Sequence, residues 1–404
     1  MEDKEGILTL EDIVRLDKNS TTSAFKPLKV WYDSLKKEYL FDHRYVYWGK
    51  IVLFSQNDRH TDWMYYVGFN NHIELYQEVP NTNSFIKKLG GQYVPSSQKD
   101  VAKGRISPFR ITLPPKQAVT LYIRAYNFNK RPVDFYLALV KPDYWHELLQ
   151  RRNLIEGLFD GVLLLMFFYN FFLFLSNRDR TYLYYALYIL HVTIYFFVIK
   201  GFSKEYFLGE YPLLEPHIWS IALGLSPVFY FQFIRHYLHT WELIPKWDRW
   251  MKIASLIAIA IVVLENIILL VLFDVWLVGY LAVFSLIVAS IFSTILIVKL
   301  LKTKEKLAYY LIAGSICLWV GSLVGLGFTA AQYFGNGLYW GQSGIIAEVL
   351  IFSLGLGYRM KRMQLEKEEA QAQLIQQLQQ NEQLQIEANR KLEEKVKQRT
   401  QEIE

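Results

Sequence analysis

The chain of 404 residues holds one cysteine, Cys317, and little charge for its length. One thiol closes no intrachain disulfide, so cysteine usage leaves the redox compartment open. Cys317 lies in an apolar run, where a buried structural thiol is expected. Charged residues make up 20% of the chain, below the roughly 25% of soluble domains. There is no H-E-x-x-H, no G-x-S-x-G and no phosphate-binding Walker loop. The eight histidines are scattered, and His236 and His239 lack a clear carboxylate partner in the sequence. No metal, no cofactor and no catalysis by this chain are expected. The net charge of +6 comes from Lys and Arg flanking apolar runs. It therefore reads as membrane orientation and speaks against a nucleic-acid partner.

What the chain has in abundance is apolar sequence, 52% of all residues. Seven stretches near the ~20 residues needed to cross a bilayer fall at 154–175, 181–199, 213–236, 250–271, 275–299, 307–333 and 338–359. Connections after the odd-numbered stretches carry Arg178, Arg180, Lys246, Arg249, Lys302, Lys304, Lys306, Lys361 and Arg362, and those after the even-numbered ones only Lys200 and Lys204. Lys and Arg favour the cytoplasmic side, which puts residues 1–145 outside and the tail inside. The acidic start MEDKEGILTL lacks the basic and apolar regions of a signal peptide. A secretion signal missing from this chain is the expectation that reconciles the two.

Residues 1–145 read as all-β. Apolar or alternating segments recur at Tyr45–Phe54, Trp63–Phe69, Ile73–Tyr76, Phe109–Leu113, Val119–Tyr126 and Val133–Val140, broken by QNDRH, PNTN, LGGQ and LPPK. Short strands at this spacing suggest an antiparallel sandwich or jelly roll. Leu10–Leu16 and Val30–Tyr39 add leading strands or a short helix. Trp63, Tyr65, Tyr76, Arg105 and Arg124 are candidate ligand-binding residues, since aromatic faces stack on sugar rings and arginine holds an acidic group. Alternation assigns most of these aromatics to the core instead.

Asp160, Asn170, His191, Glu265 and Glu348 are polar groups in or near apolar spans, where ionisable side chains are costly and face the bundle interior. His191 and Glu348 are candidates for a polar switch between helices two and seven; the alternative is hydrogen bonding to a neighbouring helix. Gly321, Gly325 and Gly327 point to close helix packing or an unwound segment.

The run GLFDGVLLLMFFYNFFLFLSNRDRTYLYYALYIL resembles the bacterial seven-transmembrane receptors with diverse intracellular signalling modules. It pairs Tyr169-Asn170 with an Arg178-Asp179-Arg180 loop and the tyrosines Tyr182, Tyr184, Tyr185 and Tyr188. The stretch EVLIFSLGLGYRMKRM, with Glu348 early and Arg359 at the inner edge, is similar to that family's closing helix. YVYWGKIVLFSQND and DWMYYVGF resemble its second type of extracellular sensing domain, a jelly roll likened to carbohydrate-binding modules. The resemblance implies a seven-helix membrane bundle with an all-β ectodomain at 1–145, helices over 154–360 and a cytoplasmic signalling helix at 361–404. It implies a receptor in the cytoplasmic membrane for a small or carbohydrate-like ligand. Such receptors continue into a catalytic output domain, a histidine kinase in the first place and otherwise a cyclase or phosphatase.

From Lys361 to Glu404 there is no Pro or Gly, which favours one continuous helix. Its apolar seam runs through Leu374, Leu378, Leu384, Ala388, Leu392, Val396 and Ile403, with Asn381 among them. The step from Leu374 to Leu392 equals a heptad plus eleven residues, a four-residue stutter that unwinds a left-handed supercoil. A parallel homodimeric coiled coil is expected, its polar seam weakening the packing while specifying register; the alternative is a solvated single helix. The alternative to a sensor is a transporter or channel with an accessory β-domain, but the first half offers no matching glycine-interrupted segment of the kind inverted repeats require.

Overall fold

The computed structural model describes residues 2–3, 44–82, 84–104, 106–135, 137–330 and 334–403. The expectations for Leu10–Leu16, Val30–Tyr39 and Arg105 lie outside the described residues. The chain divides into two units, Met1–Leu296 and Ile297–Glu404.

The first unit begins with β-strands: β1 Glu2–Asp3, β2 Val46–Phe54, β3 Thr61–Val67, β4 His72–Glu78, β5 Phe85–Gly90, β6 Phe109–Leu113, β7 Ala118–Tyr126 and β8 Leu137–Val140. They form a five-stranded sheet in the order β1-β2-β7-β4-β5 and a three-stranded sheet in the order β6-β3-β8. Every pairing is antiparallel. The inward residues of both sheets meet in one core: Ile73, Leu75, Leu121 and Ile123 from the larger sheet, and Tyr65, Val67, Phe109 and Ile111 from the smaller. This is the antiparallel sandwich that alternation predicts. Strand β5, FIKKLG, is the one the pattern misses. Its two lysines mask it, and its strand character comes from pairing with β4. The segment at 133–140 is shorter than expected, with only Leu137–Val140 on the ladder.

Among the described residues seven helices are long and apolar enough to cross a membrane. They are α1 Pro142–Asn177, α2 Arg180–Ile199, α3 Glu215–Leu238, α4 Pro245–Leu272, α5 Val275–Leu301, α6 Lys306–Ala330 and α7 Phe334–Ile403. Helix α1 starts two residues after β8, with Pro142 in its first turn, and runs for 36 residues. At 1.5 Å per residue that is about 54 Å, well beyond the ~30 Å hydrocarbon core. Its first turns, PDYWHELLQRRN, therefore belong to the junction with the sandwich. Helix α1 packs on α2, α2 on α3 and α3 on α4.

In the second unit α6 packs against the first part of α7, and glycine makes the close approach possible. A Cβ on Gly321 would stand 2.7 Å from the Trp340 carbonyl oxygen and 2.8 Å from the Gly344 Cα, and one on Gly325 would stand 2.5 Å from the Gly337 oxygen. Among the described residues nothing lies within 4 Å of a Cβ on Gly327. The glycines of α6 thus mark small-residue packing rather than an unwound segment, since α6 is continuous. Helix α7 runs unbroken for 70 residues, so the last membrane span and the charged tail are one rod, about 105 Å long at helical rise.

Candidate functional site

The sandwich meets the helices of its own unit at two connections. The α2–α3 connection, residues 200–214, begins where Gly201 takes a left-handed conformation at φ 85°. Three ion pairs and one charged hydrogen bond involve it. Lys200 pairs with Glu156 of α1, Lys204 with Glu215, Arg152 with Glu205 at 2.6 Å, and Glu210 accepts from the Ser97 hydroxyl at 2.7 Å and the Ser97 N–H at 3.0 Å. The last is a charged hydrogen bond to the sandwich rather than a salt bridge. The Gly209 carbonyl also accepts from the Ser96 N–H at 2.8 Å.

The α4–α5 connection is two residues long. Phe273 ends α4 with φ 46°, and Asp274 caps α5 by accepting from the Leu277 N–H at 3.0 Å. The same carboxylate takes the Lys130 ammonium at 2.6 Å. Burial would raise the Asp274 carboxyl, but Lys130 and the helix N–H groups outweigh it and hold the group below its ordinary range. Around this pair the rings of Tyr93, Phe128 and Phe273 pack mutually, with centroids 5.4 to 5.6 Å apart. The junction is an aromatic wedge beside a capping ion pair. Sequence reading passes over these residues, although Asp274 directly before an apolar run is a legible helix-start signal.

The candidate ligand residues separate. Tyr65 is in the core and 1% exposed; Trp63 packs against that core and donates its ring N–H to Thr61. Tyr76 and Arg124 lie together on the opposite face of the five-stranded sheet. There Arg124 stands across from Trp48 and Glu74, and Tyr76 across from Tyr122 and Lys87. Trp48 stacks on Tyr76 at 5.8 Å. Glu74 is the hub: it accepts from the Tyr76 hydroxyl at 2.7 Å, from Lys87 at 3.0 Å, and lies 3.6 Å from both His72 and Arg124. The His72 ring, then Tyr76 and Lys87, hold its carboxyl well below the ordinary range against burial. Alternation in HIELYQE and AVTLYIRAY carries this face, but only the register brings its members together.

The polar groups of the helices are also placed. Asp160 follows Glu156 by one turn on α1 and is 9% exposed, with one carboxylate oxygen lacking a hydrogen bond among the described residues. Asn170 donates to its own helix at the Met166 carbonyl, 2.8 Å away. His191 shares a hydrogen bond with the Leu187 carbonyl at 2.8 Å and lies against Phe229 of α3. Glu265 accepts from Ser220 at 2.6 Å, joining α4 to α3. Glu348, on α7, is fully buried.

At the other ends of the helices the Arg178-Asp179-Arg180 loop is a tight turn. Arg178 closes α1 at φ 54°, and Asp179 caps α2 by accepting from the Thr181 N–H at 2.9 Å. The next turn at that end is tied by Arg235 to Asp248 at 2.7 Å, a pair the sequence reading omits. In the second unit Arg362 pairs with Glu305 at 2.9 Å, and Arg359 is 5% exposed. The seam residues Leu374, Leu378, Leu384, Leu392 and Val396 are exposed in the single chain, as is Asn381. Ile403 is in the helix, its side chain outside the description. Among the described residues no cluster of three or more His, Cys, Asp or Glu is placed to hold a metal.

A family model described as 7TM diverse intracellular signalling matches residues 152–359, and one described as 7TMR-DISM extracellular 2 matches residues 1–138. Comparison with curated proteins gives no match. The first model alone spans more than half of the chain, and it covers all the membrane-type helices up to the edge of the tail. The chain therefore belongs to the seven-transmembrane diverse intracellular signalling receptors, multi-pass membrane signalling proteins that join an extracellular-type β domain to seven helices.

Proposed function

We propose that this receptor sits in the bacterial cytoplasmic membrane with its sandwich outside and its tail inside, senses a small or carbohydrate-like ligand, and signals through a parallel dimer of α7. The output is a catalytic module, a histidine kinase in the first place and otherwise a cyclase or phosphatase. The sandwich docking carries this reading. Its loops hold the α2–α3 and α4–α5 connections by Glu210 and by the Lys130–Asp274 pair, so a ligand that shifts the sandwich shifts helix ends directly. The face around Glu74, Tyr76 and Arg124 supplies stacked rings and charged hydrogen-bonding groups of the kind sugar recognition uses.

Charge supports the orientation. The two lysines at the sandwich end, Lys200 and Lys204, are both neutralised by carboxylates, whereas Arg178 and Arg180 at the opposite helix ends of the same unit are exposed. The polar seam, held parallel by two membrane anchors at high local concentration, suits a coil of marginal register stability. Single cysteines in a Cys317→Ala background test the orientation. Exposed Asn57 and Phe207 should react with an impermeant thiol reagent in intact cells, and Ser176 and Glu242 only after permeabilisation. Labelling in the reverse sense overturns the proposal.

A further inference from the structure

Between the sandwich and the membrane helices of the first unit lies a cavity of about 520 Å³, within the ~300–1,000 Å³ of small-molecule sites. Its two halves differ in chemistry. The sandwich side and the α2–α3 connection supply three cations, Lys99, Arg131 and Lys204, against one carboxylate, Glu215. The other wall is one face of α5, Val275, Trp276, Gly279, Tyr280 and Val283, joined by Trp219 of α3. Those α5 residues span nine positions, eight rises or about 12 Å of descent into the membrane span. Trp276 and Tyr280 stack at 5.8 Å and remain 42% and 66% exposed, as befits the aromatic belt at a membrane surface.

Among the described residues the charges that line this cavity do not balance. Glu215 is taken by Lys204, whose ammonium also lies over the Tyr93 ring at 5.3 Å. Asp134 lies close enough to act on Arg131 but does not line the cavity. The Lys99 ammonium has no hydrogen bond or salt bridge among the described residues; Glu215 acts on it only at longer range. Half-buried cations without a matching anion cost free energy. The Lys200–Glu156, Arg152–Glu205 and Lys130–Asp274 pairs of the junction each set one cation against one carboxylate, which sets Lys99 apart.

We propose that the cavity binds an anionic amphiphile, its phosphate or carboxylate head held by Lys99, Arg131 and Lys204 and its hydrocarbon laid along Trp219, Trp276 and Tyr280. The head groups of bilayer phospholipids and of free fatty acids share this chemistry. Guanidinium and ammonium donors match such oxyanions, and the α5 wall continues into the hydrocarbon region. Burial, together with the neighbouring Lys204, pushes the Lys99 ammonium down to about 8. An anion at the site therefore favours its charged form, and binding weakens as pH rises from 7 to 9. Tyr93, Arg131, Lys204 and Glu215 are the titratable groups facing it. Tyr93 stays neutral because burial pushes its hydroxyl up.

The inference rests on the membrane placement of the chain but not on its signalling role, so it can fail without touching the receptor reading. The full chain is placed in discs of phosphatidylcholine alone, with phosphatidylglycerol, with added oleate, or with inorganic phosphate, and its melting temperature is read. Phosphatidylglycerol or oleate should raise it by at least about 3 °C, and which one does so identifies the source. Lys99→Gln and Arg131→Gln should lose that shift, and Lys99→Gln should be no less stable than wild type in phosphatidylcholine, which separates lost binding from lost folding. An equal shift with phosphate alone, no shift with either amphiphile, or an undiminished shift in both variants overturns the proposal.

Discussion

The Lys130 ammonium of the sandwich stands 2.6 Å from the Asp274 carboxylate, and that same carboxylate caps the first turn of α5. One side chain therefore serves both the docking of the β-domain and the start of a membrane helix. A shift of the 128–131 loop cannot leave the end of α5 unaffected while the pair is intact.

Replacing Asp274 separates its two roles. Asp274→Asn keeps an N-cap and loses the charge, so it should cost about 1 kcal/mol, because Lys130 is half exposed and the pair is screened. Asp274→Ala loses the cap as well and should cost about 1 kcal/mol more. Amide hydrogen exchange in residues 128–131 and 274–278 should rise in that order. The sign with pH follows from the lowered Asp274 carboxyl. Its contribution is complete above the unfolded value near ~4 and is lost as pH falls through the folded value. Wild type should lose protection in acid more steeply than Asp274→Asn.

Gly321 and Gly327 make a matched pair on α6. A methyl group at Gly321 meets backbone atoms of α7 at 2.7 and 2.8 Å, and one at Gly327 meets nothing within 4 Å among the described residues. Gly321→Ala should therefore destabilise the second unit by about 1–3 kcal/mol, and Gly327→Ala should change little. Equal melting temperatures for the two variants in detergent would remove close α6–α7 packing as a determinant of stability.

The stutter in the tail predicts a difference between insertions. Three residues inserted after Asn381 complete the four-residue stutter to a heptad and should lock the output in one state, whereas seven residues preserve the phase and should be tolerated. Autophosphorylation, or the turnover of whichever output module is joined to the tail, reads this directly. Equal responses to both insertions would leave the stutter without a role in signalling.

Much of the fold is legible in the sequence because its signals are local. Apolar runs of bilayer length give the seven spans, alternation gives the strands with hydrophobic inner faces, and the lack of Pro and Gly after Lys361 gives the unbroken rod. Strand β5 is not legible, since Lys87 and Lys88 hide a segment whose pairing partner, β4, makes it a strand. The candidate site is less legible still. Tyr65 and Tyr76 look alike in the sequence, yet one is in the core and the other on the outer sheet face beside Glu74. Lys130 and Asp274 are 144 residues apart, and only the tertiary fold brings such groups together. Aspartate before an apolar run is a local clue to the cap, but nothing local names its partner.

The most direct test of coupling from sandwich to tail is disulfide crosslinking in native membranes. Single cysteines at Leu374, Leu378, Leu384, Leu392 and Val396 are compared in a Cys317→Ala background, with and without Asp274→Asn. Leu392 should crosslink as a parallel dimer, and Asp274→Asn should redistribute crosslinking among the five positions, because loosening the sandwich alters the register preferred by α7. Absence of a dimer at every position, or a profile unchanged by Asp274→Asn, contradicts that coupling.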